Sequence, residues 1–258
     1  MKLSLVWRAT YEYSAQTDPT LVYTRNVKDF MNAGTMPKAT QLDLQDAYIM
    51  QLIGMERWGN RTLVMRDVAG EYFNKLHIPI KHTPYLIHVP TTIMLFSLHD
   101  LKESTFTMDE LMNGYIQTLL LHDRNFQQTP RTIIVVLSKA DLLLSELPAN
   151  LKDYLLADPF SGILQSQSVD WQMGNAEMTS YMQKLNAVSG EIKDWIDKDS
   201  FGHTMIMRAS HNNIHLKFSI VSSTGSPVPD DKKMKVDIRP IRILDPFFWI
   251  LDLQSRPG

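Results

Sequence analysis

Thr132-Ile133-Ile134-Val135-Val136-Leu137-Ser138-Lys139-Ala140-Asp141 is the stretch on which the fold turns. A continuous apolar run of strand length, rich in β-branched residues, is the pattern of a strand buried on both faces of a parallel sheet. It runs straight into a polar, turn-forming sequence. Two further runs share this form. Thr91–Ser97 (TTIMLFS) lies upstream and Leu216–Val221 (LKFSIV) lies downstream.

Helical patterns separate these strands. Met108–Leu121 reads as an amphipathic helix, with Thr107 as N-cap and Glu110 completing a capping box. Ala176–Lys198 carries Met178, Tyr181, Met182, Leu185, Val188, Ile192, Trp195 and Ile196 on one broad stripe. Further upstream, Ala47–Arg57 and Thr62–Arg66 are strand-like on either side of Trp58-Gly59-Asn60-Arg61, a hairpin signal. Lys2–Tyr11 reads as a strand and Arg25–Asn32 as a short helix ended by Gly34. Ile241–Leu251 is apolar and fits a terminal helix or a strand. Strands alternating with helices predict an α/β fold, a mostly parallel sheet with flanking helices. The expected organisation is one domain over 1–258, with a surface insertion at 147–175 and a charged surface tract at Asp230–Lys235.

Composition sets outer bounds. The 258 residues are 44% hydrophobic and 21% charged, which suits one globular domain with a sizeable core. A net charge of −2 gives no electrostatic case for nucleic acid as main partner. Without cysteine there is neither a disulfide framework nor a thiolate metal site. No signal-peptide run opens the sequence and no apolar stretch approaches the roughly 20 residues of a membrane span. The expectation is a cytoplasmic protein. His211 and His215, and His77 and His82, lack the spacing and acidic companion of a known metal motif and read as ordinary histidines. No G-x-S-x-G elbow supplies a hydrolase nucleophile.

Chemistry concentrates just after three strands, where ligands bind in open α/β sheets. Asp67-Val68-Ala69-Gly70-Glu71 follows Thr62–Arg66. An Asp there can hold magnesium through water, and a Gly lets a backbone N–H approach a terminal phosphate. The same sequence also fits an ordinary glycine turn. Ser138-Lys139-Ala140-Asp141 follows the deciding strand. Its carboxylate can accept the two donors at the N1 and 2-amino edge of guanine, which adenine does not match, while the Lys139 stem can lie along the purine. The alternative is a helix start with Asp141 on its dipole. Ser222-Ser223-Thr224-Gly225-Ser226 follows the third run. Its backbone N–H groups can receive a base carbonyl, or it is a plain Ser/Gly turn.

Taken in order, the three loops resemble the switch, base-specificity and base-supporting loops of the Ras-like P-loop GTPase superfamily. Within it the chain is similar to bacterial double-GTPase type families, over about Gly34 to Leu251. The resemblance implies that Asp67 and a switch threonine hold Mg2+, with Thr40 preferred and Thr35 second. It implies that Gly70 senses the γ-phosphate of GTP and that Glu71 stands where relatives orient the attacking water. Lys139 and Asp141 would select guanine, and Ser222, Ser223 and Thr224 would support the base.

One departure is large. The phosphate loop G-x-x-x-x-G-K-[ST] occurs nowhere in the 258 residues. The fold implied is therefore a Ras-like domain missing its first strand, P-loop and first helix. Hydrogen bonds to charged groups contribute about 1.5–3 kcal/mol each, so losing four forfeits about 6–12 kcal/mol of phosphate binding if they are additive. The expectation is a guanine-nucleotide switch, with GTP/GDP and Mg2+, that is inactive as this chain alone. A protein partner or an N-terminal segment would complete it. The main competitor is a non-enzymatic GTPase-like interaction module. A weaker one is another α/β enzyme using Asp67, Glu71 and Asp141 around a metal.

Overall fold

The computed structural model describes residues 48–52, 57–65, 84–98, 108–160, 175–198, 202–226 and 239–254. Within them the chain is α/β, with a three-stranded parallel sheet and flanking helices. Strands β1 (Tyr48–Leu52) and β2 (Arg61–Met65) form a separate antiparallel pair, with Tyr48 opposite Met65 and Leu52 opposite Arg61. The hairpin predicted around Gly59 is therefore present, and Gly59 itself has φ 66°, a conformation that a Cβ would strain.

The parallel sheet has the order β3-β4-β5, from Thr91–Ser97, Arg131–Ser138 and Ile214–Ile220. Ile134 pairs with Ile93 on one side and Lys217 on the other. The central strand β4 is the most deeply buried, with Ile133, Ile134, Val135 and Leu137 all fully inaccessible. Its first residue, Arg131, is also buried. Its guanidinium donates to the carbonyl oxygens of Leu86 (3.1 Å), Val89 (2.9 Å) and Ile87 (2.6 Å). These are at the end of the 3-10 turn Pro84–His88, so Arg131 caps the approach to β3.

Helix α1 (Met108–His122) buries Met108, Leu111, Met112, Tyr115, Ile116 and Leu119, the recurrence of a single helical face. Helix α2 is Ala149–Leu156 and α3 is Asn175–Lys198. The α3 stripe from Met178 to Ile196 faces the core as the periodicity predicts, except that Trp195 is half-buried. Helix α4 (His203–His211) has no counterpart in the sequence reading; only Met205, Ile206 and Ala209 of its nine residues are buried, too short a stripe to register. A bidentate Arg208–Asp109 pair, at 2.6 and 2.9 Å, ties α4 to α1. Helix α5 is Asp245–Gln254, so the ambiguous run Ile241–Leu251 resolves to helix, with Pro246 in the first turn where its missing N–H costs nothing.

The surface insertion expected at 147–175 needs correction over its first half. Leu147, Leu151, Tyr154, Leu155 and Phe160 are buried, and Phe160 packs against Tyr181 and Phe248 at ring-centroid distances of 5.2 and 5.4 Å. Two turns of helix leave too few residues for a period to emerge, although their apolar face is part of the core. Residues 161–174 lie outside the described residues, as do Lys2–Tyr11, Arg25–Asn32, Thr107 and Asp230–Lys235.

The two edges of the parallel sheet differ. In β5 the outward-pointing N–H of Phe218 donates to Ser189 Oγ of α3 at 2.8 Å. In β3 the bonds from Thr132 N–H to Pro90 O and from Leu98 N–H to Ser138 O show that even-numbered positions face β4. The N–H and C=O of Ile93 and Leu95 therefore point to the other edge. Among the described residues no strand takes them up, and the Leu95 side chain is 66% exposed.

Candidate functional site

Parallel strands end on the same rim, and the carboxyl ends of β4 and β5 bring two sequence motifs together there. At the end of β4, Ser138 Oγ donates to Phe96 O at 3.0 Å and Leu98 N–H donates to Ser138 O at 3.0 Å, locking β3 and β4 in register. The chain then turns sharply at Lys139, whose φ of 57° is left-handed and uncommon for a side-chain-bearing residue. The turn leads into the 3-10 segment Ala140–Leu143, with Ala140 N–H bonded to Val221 O at 3.2 Å. Lys139 is exposed and Asp141 half-buried, so both are presented at the rim.

The second loop comes from β5. Val221 N–H still belongs to the ladder, donating to Leu137 O at 2.8 Å. The next residue leaves it. Ser222 is fully buried, and its Oγ donates to Asp141 Oδ1 at 2.5 Å while accepting Gly225 N–H at 2.8 Å. One hydroxyl thus closes its own loop and reaches a carboxylate 81 positions earlier. Thr224 Oγ1 donates to Ser226 O at 2.8 Å, which tightens the turn.

Which groups remain open decides what the rim can do. Among the described residues, Asp141 Oδ2 and the N–H groups of Ser223 and Thr224 make no hydrogen bond. Ser222 N–H is taken by Ile241 O at 3.0 Å. A carboxylate oxygen and two backbone donors at one rim suit a planar ligand with donors on one edge and a carbonyl beside them.

A third segment lies over this loop. Ile241 and Ser222 exchange both backbone bonds (3.0 and 2.8 Å), and Arg239 N–H donates to Thr224 O at 2.9 Å. Gly225, at φ 74°, sits so close to Arg239 that a Cβ would lie 2.0 Å from its carbonyl oxygen. Only glycine fits there without movement.

Directly behind this segment is a buried polar cluster absent from the sequence reading. Arg242, 1% exposed, donates to the carbonyl oxygens of Tyr154 (3.0 and 2.5 Å) and Ala157 (2.8 Å) and to Tyr181 Oη (3.0 Å). Its backbone N–H donates to Asp158 at 2.7 Å, and its guanidinium stacks 3.8 Å from the Tyr154 ring centroid. Asp245 accepts hydrogen bonds from Tyr154 Oη at 2.6 Å and from Tyr181 Oη. Burial pushes the Asp245 carboxyl up to about 6, against the opposing pull of Arg242 and the two tyrosine hydroxyls. Burial, followed by the Asp245 charge, raises both tyrosines well above their ordinary value. The sequence did carry a signal for this cluster: Arg242 and Asp245 interrupt an otherwise apolar run, and a charge inside such a run needs a buried partner.

The remaining sequence-derived positions, Thr35, Thr40, Asp67, Gly70 and Glu71, lie outside the described residues. The structure therefore brings together Lys139, Asp141, Ser222, Ser223 and Thr224, the base half of the expected site. Among the described residues no cluster of three or more His, Asp or Glu side chains is arranged to hold a metal. No described helix is long and apolar enough to cross a membrane. No family model, curated protein or solved structure matches the chain.

Proposed function

We propose that the β4–β5 rim is the base-recognition half of a guanine-nucleotide site, in a GTPase-like switch domain of Ras-like type. The observation that carries this reading is the Ser222–Asp141 hydrogen bond, beside which Asp141 Oδ2 and the Ser223 and Thr224 N–H groups make no bond among the described residues. In this reading Asp141 accepts the N1–H and 2-amino donors of guanine and is held in place by Ser222. Ser223 N–H or Thr224 N–H receives the base carbonyl, and the Lys139 stem covers one face of the ring. Thr40 and Asp67 would hold Mg2+, Gly70 would meet the γ-phosphate, and Glu71 would stand near the attacking water.

The phosphate half is not encoded by any glycine-rich loop in these 258 residues. Among the described residues the outer edge of β3 carries no strand; a further parallel strand there would deliver its following loop to the same rim as Asp141. In this reading a protein partner or an N-terminal segment supplies that strand. GTP hydrolysis is accordingly a property of the completed protein, and the 258-residue chain alone is a weak binder.

Calorimetric titration of the completed protein with GDP and magnesium tests the reading. GDP should bind at least about a hundredfold more tightly than ADP, since two charge-assisted bonds of about 1.5–3 kcal/mol each distinguish them. Asp141→Ala should abolish most of that preference. Equal affinity for GDP and ADP defeats the proposal.

A second reading, a GTPase-like module that binds a protein and no nucleotide, is favoured by the same β3 edge, which no strand takes up among the described residues, because strand addition is a common recognition mode. It predicts a stable 258-residue chain that captures an extended peptide and gives no heat with any nucleotide.

A further inference from the structure

We infer that the buried Arg242–Asp245 cluster is the positioning device of the rim, holding Ser222 against Asp141 through a closed mechanical circuit. The circuit can be followed residue by residue. From Asp141 the chain runs through Ala140–Leu143 into α2, whose Tyr154 carbonyl is gripped twice by the Arg242 guanidinium. Arg242 is covalently next to Ile241, and Ile241 exchanges both backbone hydrogen bonds with Ser222. Ser222 Oγ then returns to Asp141. Three non-covalent junctions thus close one ring: Ser222–Asp141 and Ser222–Ile241 at the rim, and Arg242–Tyr154 at the interior.

The interior junction is stiffer than the Ser222–Asp141 link. Arg242 is held at φ 57° and makes hydrogen bonds through its backbone N–H, Nε, Nη1 and Nη2. Asp245 closes the cluster through Tyr154 and Tyr181, one residue from α2 and one from α3. Buried polar networks that are fully satisfied specify one arrangement, because any slip leaves a charge or donor unpaired in a low-dielectric interior. The Ser222–Asp141 link, by contrast, is half-exposed at Asp141 and depends on one hydroxyl. A rigid interior clamp therefore sets where the rim residues stand. Tyr181, whose hydrogen bonds go to Arg242 and Asp245 rather than to the rim, is by this argument a positioning residue. The functional meaning rests on the proposed base site, but the mechanical coupling does not.

Amide hydrogen exchange on the intact chain tests it without any ligand. Tyr181→Phe keeps the aromatic ring and removes one bond each from Arg242 and Asp245. The Ser222 and Ile241 amides should then exchange at least about tenfold faster while the β4 amides of Ile134 and Val136 are unchanged. Uniform acceleration across β4 and the rim, or no change at the rim, overturns the inference. If Tyr181→Phe does not fold, the coupling is read in reverse, since coupling between two sites is reciprocal. Ser222→Ala should quicken exchange of the Arg242 amide, which donates to Asp158, and an unchanged Arg242 amide overturns the inference. GDP titration of the unsubstituted completed protein separates the two ideas: absence of nucleotide binding together with rim-selective exchange defeats the base-site reading and leaves the clamp standing.

Discussion

The two sides of the parallel sheet are finished to different degrees. On the β5 side, the Phe218 amide is capped by Ser189, α3 covers the strand, and the segment after Arg239 lies over the loop and anchors in the Arg242–Asp245 cluster. On the β3 side, Ile93 and Leu95 direct backbone groups outward with no strand to receive them among the described residues, and Leu95 is 66% exposed. Thr91–Ser97 carries no Lys, no Pro and no other charge, the devices by which edge strands avoid pairing. The β4–β5 rim is thus closed by its own segments, while among the described residues the outer edge of β3 carries no further strand.

The largest test of that contrast is Arg242→Ala. It leaves the Asp245 and Asp158 carboxylates without their buried cation and should cost about 3–5 kcal/mol in urea unfolding. A loss below about 1 kcal/mol would mean that the β5 side owes little to the clamp.

The pH dependence is nearly as large. The Asp245 carboxyl, facing Arg242, Tyr154, Tyr181 and Asp158, is raised by burial from its ordinary value to about 6 in the folded state. Its contribution to stability is therefore fully present below the unfolded value near 4 and is lost as pH rises through about 6. The total is about 3 kcal/mol, at 1.36 kcal/mol per pKa unit. Unfolding free energies of the parent chain measured against Asp245→Asn between pH 4 and 7 should diverge by that order, with the parent relatively weaker at pH 7. A pH-independent difference would show that the carboxyl is not held up by burial.

A smaller effect compares the edges directly. Ser189→Ala strands the Phe218 amide and should cost about 1–3 kcal/mol, whereas Leu95→Thr on the open edge should stay within about 0.5 kcal/mol by chemical denaturation. Comparable losses at both positions would mean that β3 is already covered. Exchange rates sharpen the same point at no cost to folding: the Ile93 and Leu95 amides should exchange about a hundredfold or more faster than Phe218.

Much of this architecture is legible from residue patterns alone. The continuous apolar runs of β3, β4 and β5 and the long stripe of α3 announce themselves, because burial on two faces or on one helical stripe demands those compositions. The hairpin is legible from Gly59 between two strand-like segments. Helices α2 and α4 escape, since eight and nine residues offer only two turns of period. In the candidate site, Asp141 and Ser222 are visible as strand-end polar residues. Arg242 and Asp245 are harder to place, because their partners Tyr154, Asp158 and Tyr181 are 61 to 91 positions away.

Periodicity and composition determined that three buried strands alternate with helices and that polar loops follow two of them. Those are local properties, set by which side chains a strand or helix must bury. Only the tertiary structure decided that Ser222 meets Asp141, that α3 caps the β5 edge of the sheet, and that a buried arginine ties the rim to two distant helices. Each of these depends on which strand lies beside which, and long-range pairing is chosen by the packing of the whole core rather than by any stretch of sequence within it.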